Sequence, residues 1–190
     1  MKKAVVLFAP GFEESEALTI VDILRRAEII CDMAGSDTTV VGAHQIEVRC
    51  NKTFDEIAAS PAEYDMIILP GGLPGAANLR DNETVIHLLQ QANEAGSFLA
   101  AICAAPIVLE KAGLLENKHY TAYVGYDKEI TSGTYQTDLV VRDGTIITSR
   151  GPATVYAFAY ALVDALGGDS LAVKNRMVYF NAFEEEKAHE

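Results

Sequence analysis

The chain has 190 residues, 49% of them hydrophobic, and carries a net charge of −12 from 15 basic and 27 acidic side chains. That length and apolar content can bury a full core as one domain, while the acidic balance argues against nucleic acid, whose phosphates need clustered Lys and Arg. Three cysteines with no Cys-x-x-Cys spacing argue against a disulfide framework or zinc knuckle and for a reducing, cytoplasmic compartment; no segment is long enough to span a membrane.

Met1 to Phe8 begins like a signal peptide, but Pro10, Gly11 and three glutamates cut the apolar run short, so Ala4 to Ala9 reads as a first buried strand. Beyond the Pro10-Gly11-Phe12 loop, Ala17, Ile20, Val21, Leu24 and Ala27 recur at helical spacing. Ile29 to Ala34 reads as a second strand ended by Gly35, and residues 39–57 as short β pieces broken by turns. Met66 to Leu69 is a third buried strand, running straight into Pro70-Gly71-Gly72. Asn82 to Ala95 reads as a helix with Val85, Leu88, Leu89 and Ala92 along one face. Phe98 to Ile102 is a strand, and Pro106 to Ala112 a helix stopped at Gly113. Asp138 to Ser149 reads as a hairpin around Asp143-Gly144, with closing helices at Val155 to Leu166 and Ser170 to Val178. The tail from Glu184 to Glu190, four acids against one lysine, supplies −3 of the charge and leaves −9 on the body. Strands apolar on both faces and joined by helices predict a mostly parallel sheet covered on both sides, an α/β sandwich. No internal repeat, linker or low-complexity segment interrupts it.

The junction between the fourth strand and its helix singles out one residue. In Ala101-Ile102-Cys103-Ala104-Ala105-Pro106 the positions two before and two after the cysteine are both alanine. That is the steric pattern of a nucleophile elbow, a turn too sharp for bulky neighbours. Pro106 suits the first turn of the helix, and a sulfur held over helix N–H groups should be favoured as the thiolate. In such sheets ligands bind beyond the carboxyl ends of the strands, where Pro10 to Glu16, Pro70 to Gly75 and the Cys103 turn would meet. Pro70-Gly71-Gly72 lets the backbone approach a substrate oxygen, and with the Ala104 N–H it could form an oxyanion hole; as a bare motif it reads better as a simple tight turn.

Glu13, Glu14 and Glu16 read two ways. Carboxylates at a helix start complement its dipole and are usually solvated. A carboxyl held beside a thiolate has its pKa raised by repulsion and desolvation, so it can stay protonated, donate to sulfur and shuttle a proton.

These residues match a family. Ala9-Pro10-Gly11-Phe12-Glu13-Glu14-Ser15-Glu16, Tyr64 to Gly72, Ala100 to Pro106 and Thr148-Ser149-Arg150-Gly151-Pro152 together resemble the ThiJ/PfpI superfamily, and within it the Parkinson-disease-associated deglycase branch. The resemblance implies a flavodoxin-like, class I glutamine amidotransferase-like sandwich that forms a homodimer. It casts Cys103 as nucleophile, Glu16 as protonated acid/base partner, and Gly72 and Ala104 as amide donors, with no metal or cofactor. Protease relatives carry a histidine directly after the cysteine, where this chain has Ala104. A Cys–His–Glu triad lacks its histidine, since the late His189 sits in the charged tail. The branch often has a histidine near the nucleophile in a segment that matches Thr121-Ala122-Tyr123-Val124, and Tyr123 stands there. Glu13, Gly71, Tyr123 and Arg150 are the further residues expected around the pocket. His44, His87 and His119 read as surface residues and Cys31 as a small buried hydrophobe; Cys50 matches a cysteine near the dimer interface of the resembled proteins.

The expected function is therefore cofactor-independent consumption of methylglyoxal and its early adducts on proteins or nucleotides by Cys103 and Glu16, protecting against carbonyl and oxidative stress. The alternative is a redox-sensing stress or chaperone protein, signalling through oxidation of Cys103 to a sulfinate.

Overall fold

A computed structural model describes residues 1–180; His189 and the acidic stretch from Glu184 lie outside the described residues. The strands are β1 (Lys3–Phe8), β2 (Ile30–Gly35), β3 (Thr39–Val41), β4 (Glu47–Arg49), β5 (Lys52–Thr53), β6 (Met66–Leu69), β7 (Phe98–Ile102), β8 (His119–Tyr120), β9 (Thr134–Tyr135), β10 (Val140–Asp143) and β11 (Ile146–Ser149). The helices are α1 (Glu14–Arg26), α2 (Phe54–Ala58), α3 (Gly75–Arg80), α4 (Glu83–Glu94), α5 (Pro106–Lys111), α6 (Val155–Ala165) and α7 (Ser170–Arg176). The central sheet runs β10-β11-β7-β6-β1-β2-β5, parallel throughout except for the β10–β11 hairpin at one edge. Its five long parallel strands stand in the flavodoxin-like order 2-1-3-4-5, which puts the chain reversal between β1 and β6.

The apolar runs form strands because both of their faces are buried. Val5, Leu7, Ile67, Leu69, Leu99 and Ala101 join the core under α2 to α5. Their neighbours Ala4, Val6, Phe8, Met66, Ile68, Ala100 and Ile102 join the opposite core with α1, α6 and α7. Alternation with period two thus builds a three-layer sandwich from strands that are apolar at every position. Among the described residues no helix is long and apolar enough to cross a membrane.

Three local expectations are corrected. The α1 helix begins at Glu14, so Glu14 and Glu16 lie in its first turn rather than on a loop, and Glu13 is the N-cap residue. Residues 54–58 are helical, not β; Thr53 caps them in a reciprocal capping box with Glu56, at the S/T-x-x-E spacing that marks a helix start. The α3 helix and the short parallel pair β8–β9 went unread because they are only six and two residues long and carry no periodic pattern.

Candidate active site

Loops leaving the carboxyl ends of three adjacent strands, β1, β6 and β7, meet as the topology predicted. The chain turns sharply after β7: Cys103 has φ 64°, the left-handed region that non-glycine residues rarely occupy. Two hydrogen bonds hold it there, Cys103 N–H donating to Ser149 O at 3.1 Å and Tyr123 N–H donating to Cys103 O at 2.9 Å. Ala101, Ala104 and Ala105 are all buried around the turn, so the small residues that mark an elbow in the sequence are required by packing. Cys103 itself is half-buried, whereas Cys31 and Cys50 are buried, and all three are free thiols. Burial pushes the Cys31 and Cys50 thiols up to about 12 and about 11.

Glu16 reaches Cys103 from the first turn of α1 and is inaccessible to solvent. One carboxylate oxygen, Oε2, accepts the Gly71 N–H at 2.8 Å; the other, Oε1, is buried with no fixed partner. The Glu16 and Cys103 side chains flank Gly71 together, Glu16 Oε2 and Cys103 Sγ lying 2.8 and 3.1 Å from the position a Cβ would take there, and each shifts the other's titration. Desolvation raises the Glu16 pKa to about 7, against the pull of the Gly71 amide and Cys103, and the charge of Glu13 adds to the rise. Gly71 lies so close to the pair that a Cβ there would fall 2.6 Å from Cys103 Cβ and 2.8 Å from Glu16 Oε2. Gly72, at φ +95°, needs its glycine for the backbone conformation. The backbone amides of Ala104 and Gly72 both act to lower the Cys103 thiol pKa.

The charge on sulfur differs from expectation. Burial pushes the Cys103 thiol up to about 12, and the facing Glu16 carboxylate pushes in the same direction; the Ala104 and Gly72 amides oppose them without prevailing. The helix that was expected to favour the thiolate, α5, has six residues and only a weak dipole. Desolvation therefore opposes charge on both members of the pair, and the thiolate is favoured less than the elbow pattern suggested.

The four other expected pocket residues divide between two places. Tyr123 and Arg150 line an open cavity of about 210 Å³ with Val124 and residues 151–154. Glu13 and Gly71 do not line it: Gly71 packs under the Cys103–Glu16 pair, and Glu13 turns to the α1 start, where Oε1 accepts the Ser15 hydroxyl at 2.7 Å. Glu14 is buried too, but holds the 42–46 loop: its Oε1 accepts the His44 N–H at 2.7 Å, and its Oε2 contacts His44 Nδ1 at 2.9 Å. His44 is thus exposed, as expected, yet has a definite partner. Glu13, Glu14 and His44 offer ligand atoms within 4.8 Å of one another, with those of Glu14 already engaged in the loop. His87 is exposed, and His119 is an exposed partner of Asp143. Tyr126, unread in the sequence, is half-buried at the same loop. Burial raises its phenol pKa, followed by the charges of Glu129 and Cys103. Its only local signal is the Gly125 turn before it, at φ +100°.

Residues 2–165 match the DJ-1/PfpI family. The protein dj-1beta of Drosophila melanogaster is 36% identical over 171 residues, covering 88% of this chain and 90% of its own. A protein of Caenorhabditis elegans named glutathione-independent glyoxalase is 33% identical over 175 residues, covering 88% and 90%. Among solved structures, a cysteine-to-alanine mutant of a DJ-1 superfamily protein from Salmonella typhimurium superposes with a TM-score of 0.87 at 35% identity, covering 94% of this chain and 97% of that one. The chain belongs to the DJ-1/PfpI family.

Proposed function

For a DJ-1/PfpI member built in this way, we propose a cofactor-independent glyoxalase, with Cys103 as nucleophile and Glu16 as its proton carrier. The observation that supports this most directly is the contact between a half-exposed thiol and a buried carboxyl that titrates near 7. As sulfur attacks the aldehyde carbon of methylglyoxal, Glu16 takes the thiol proton and the S–C bond forms. The developing oxyanion is held by the Gly72 and Ala104 amides, takes the thiol proton back from Glu16 and becomes a hemithioacetal, leaving Glu16 as a carboxylate. Glu16 then carries the proton from the former aldehyde carbon to the adjacent carbon, while the hydroxyl proton passes to the neighbouring oxygen through the enediol. This leaves a thioester beside a new carbinol, with no net change in oxidation state. Water cleaves the thioester, releasing lactate and restoring the thiol. Consumption of free methylglyoxal also removes early carbinolamine adducts, which dissociate reversibly, so deglycation belongs to the same chemistry.

Lactate formation is expected to vanish in Cys103→Ser, and in the wild type kcat/KM is expected to rise with pH through about 7, as Glu16 becomes able to accept the proton. Persisting turnover in the serine variant would refute the assignment. The relative accessibility of Cys103 among the three thiols supports a second reading, peroxide sensing by oxidation at this sulfur. Two added oxygens at Cys103 by mass spectrometry, with no dicarbonyl turnover, would favour it. The homodimer implied by the family is part of the proposal, and sedimentation reads it directly.

A further inference from the structure

We propose that Glu13, Glu14 and His44 form a binding site for a divalent transition-metal ion of the zinc class. The site is separate from the Cys103–Glu16 pair and does not depend on the reading of that pair given above.

Three ligand atoms of two chemical kinds converge from segments 30 residues apart. His44 Nδ1 lies 2.9 Å from Glu14 Oε2 and 3.7 Å from Glu13 Oε2, and each residue offers one such atom within 4.8 Å of the others. Around a tetrahedral ion with bonds of about 2.0–2.2 Å, ligand atoms stand roughly 3.3–3.6 Å apart. The two measured distances bracket that spacing. A cation here takes the place of the proton between His44 Nδ1 and Glu14 Oε2. Nδ1 then gives its lone pair to the ion, and the imidazole keeps a proton on Nε2.

The carboxylates are already aimed. Glu14 is only 6% exposed, and its Oε1 accepts the His44 N–H at 2.7 Å and the Ile46 N–H at 3.4 Å, which leaves Oε2 turned to the imidazole. Glu13 repeats the arrangement, with Oε1 accepting the Ser15 hydroxyl at 2.7 Å while Oε2 faces His44. Outer-shell donors of this kind fix the orientation of metal ligands. The charges also fall short of balance. Among the described residues, His44 is the one side-chain cation paired with either carboxylate, so protonation of the imidazole cancels at most one of two negative charges. A dication cancels both. An open cavity of about 400 Å³, walled by Ser15, Leu18 and Ile46 beside the three ligands, leaves room for water in the remaining coordination position. The imidazole selects zinc-like ions over magnesium and calcium, which prefer oxygen throughout. Bound metal would pin the start of α1 to the 42–46 loop.

The test measures zinc bound per chain by equilibrium dialysis in Cys103→Ser, which removes the accessible thiol as a competing ligand, and in the same protein carrying His44→Ala as well. The His44 side chain is 71% exposed, so its truncation should leave the fold intact, as circular dichroism will show. The first protein is expected to bind one equivalent. In the second, affinity at this site is expected to fall by about 10²-fold or more, beyond the usual cost of losing an outer-shell partner. Zinc should raise the melting temperature of the first protein and leave that of the second unmoved, and excess magnesium or calcium should not displace it. No zinc bound, equal binding by the two proteins, or displacement by magnesium overturns the inference. None of these outcomes touches the glyoxalase reading, which methylglyoxal turnover by the wild type tests on its own.

Discussion

Glu14 and Glu16 stand two residues apart in the first turn of α1, both buried, and titrate in opposite directions. Desolvation is the largest single influence on each and raises both. Glu14 nevertheless ends below the usual carboxylate range, because the His44 side chain and the backbone N–H groups of His44 and Ile46 hydrogen-bond its charged form. Glu16 has the Gly71 amide and Cys103 against deeper burial and ends near 7, with Oε1 unpartnered. Burial sets the scale of a shift, and the count of donors decides its sign. One turn of helix thus holds a carboxylate that stays charged and another whose pKa is raised to about 7.

The sharpest way to break this contrast is Glu16→Gln. It keeps an acceptor for the Gly71 N–H but removes the proton carrier, and kcat/KM for methylglyoxal is expected to fall by about 10²-fold or more. Its stability should also change with pH in a definite sense. A carboxyl whose folded pKa lies above its unfolded value makes the protein progressively less stable as pH rises from about 4.5 to about 7. The glutamine variant lacks that loss, so it should gain on the wild type by roughly 3 kcal/mol across the window. Urea unfolding at pH 4.5 and pH 7.5 measures it, and parallel curves would show that Glu16 does not titrate in this range.

Glu14→Gln should behave in the opposite way. Its carboxylate stabilises the fold above the unfolded pKa, and that contribution is lost as pH falls through the folded one. The variant should therefore be less stable than the wild type at pH 7, by about 1–3 kcal/mol for weakened hydrogen bonds to a buried charge. The gap should close in acid. The smallest effect is expected from His44→Ala, which removes an exposed donor and should shift the acid unfolding midpoint slightly upward while leaving the Glu16-linked slope unchanged. A change in that slope would mean that the 42–46 loop reaches the reactive pair.

Much of this architecture was legible in the chain because its signals are local. Apolar runs such as Met66 to Leu69 report strands buried on both faces, and the alanines around Cys103 report a turn with no room for larger groups. Short-range sterics act between residues close in sequence, so the sequence alone determined the sheet class, the elbow and its cysteine. Where local signals were weak or misread, as in α2, α3 and the β8–β9 pair, the elements were missed.

Tertiary structure decided the electrostatics. Three glutamates within four residues are chemically alike, and residue type cannot say which one meets Gly71, 55 positions away, and which meets His44, 30 positions away. The desolvation of the Cys103–Glu16 pair, and the separation of Tyr123 and Arg150 from Glu13 and Gly71, likewise follow from contacts between distant segments. Charge and hydrogen bonding act through space across loops that only the folded sheet brings together.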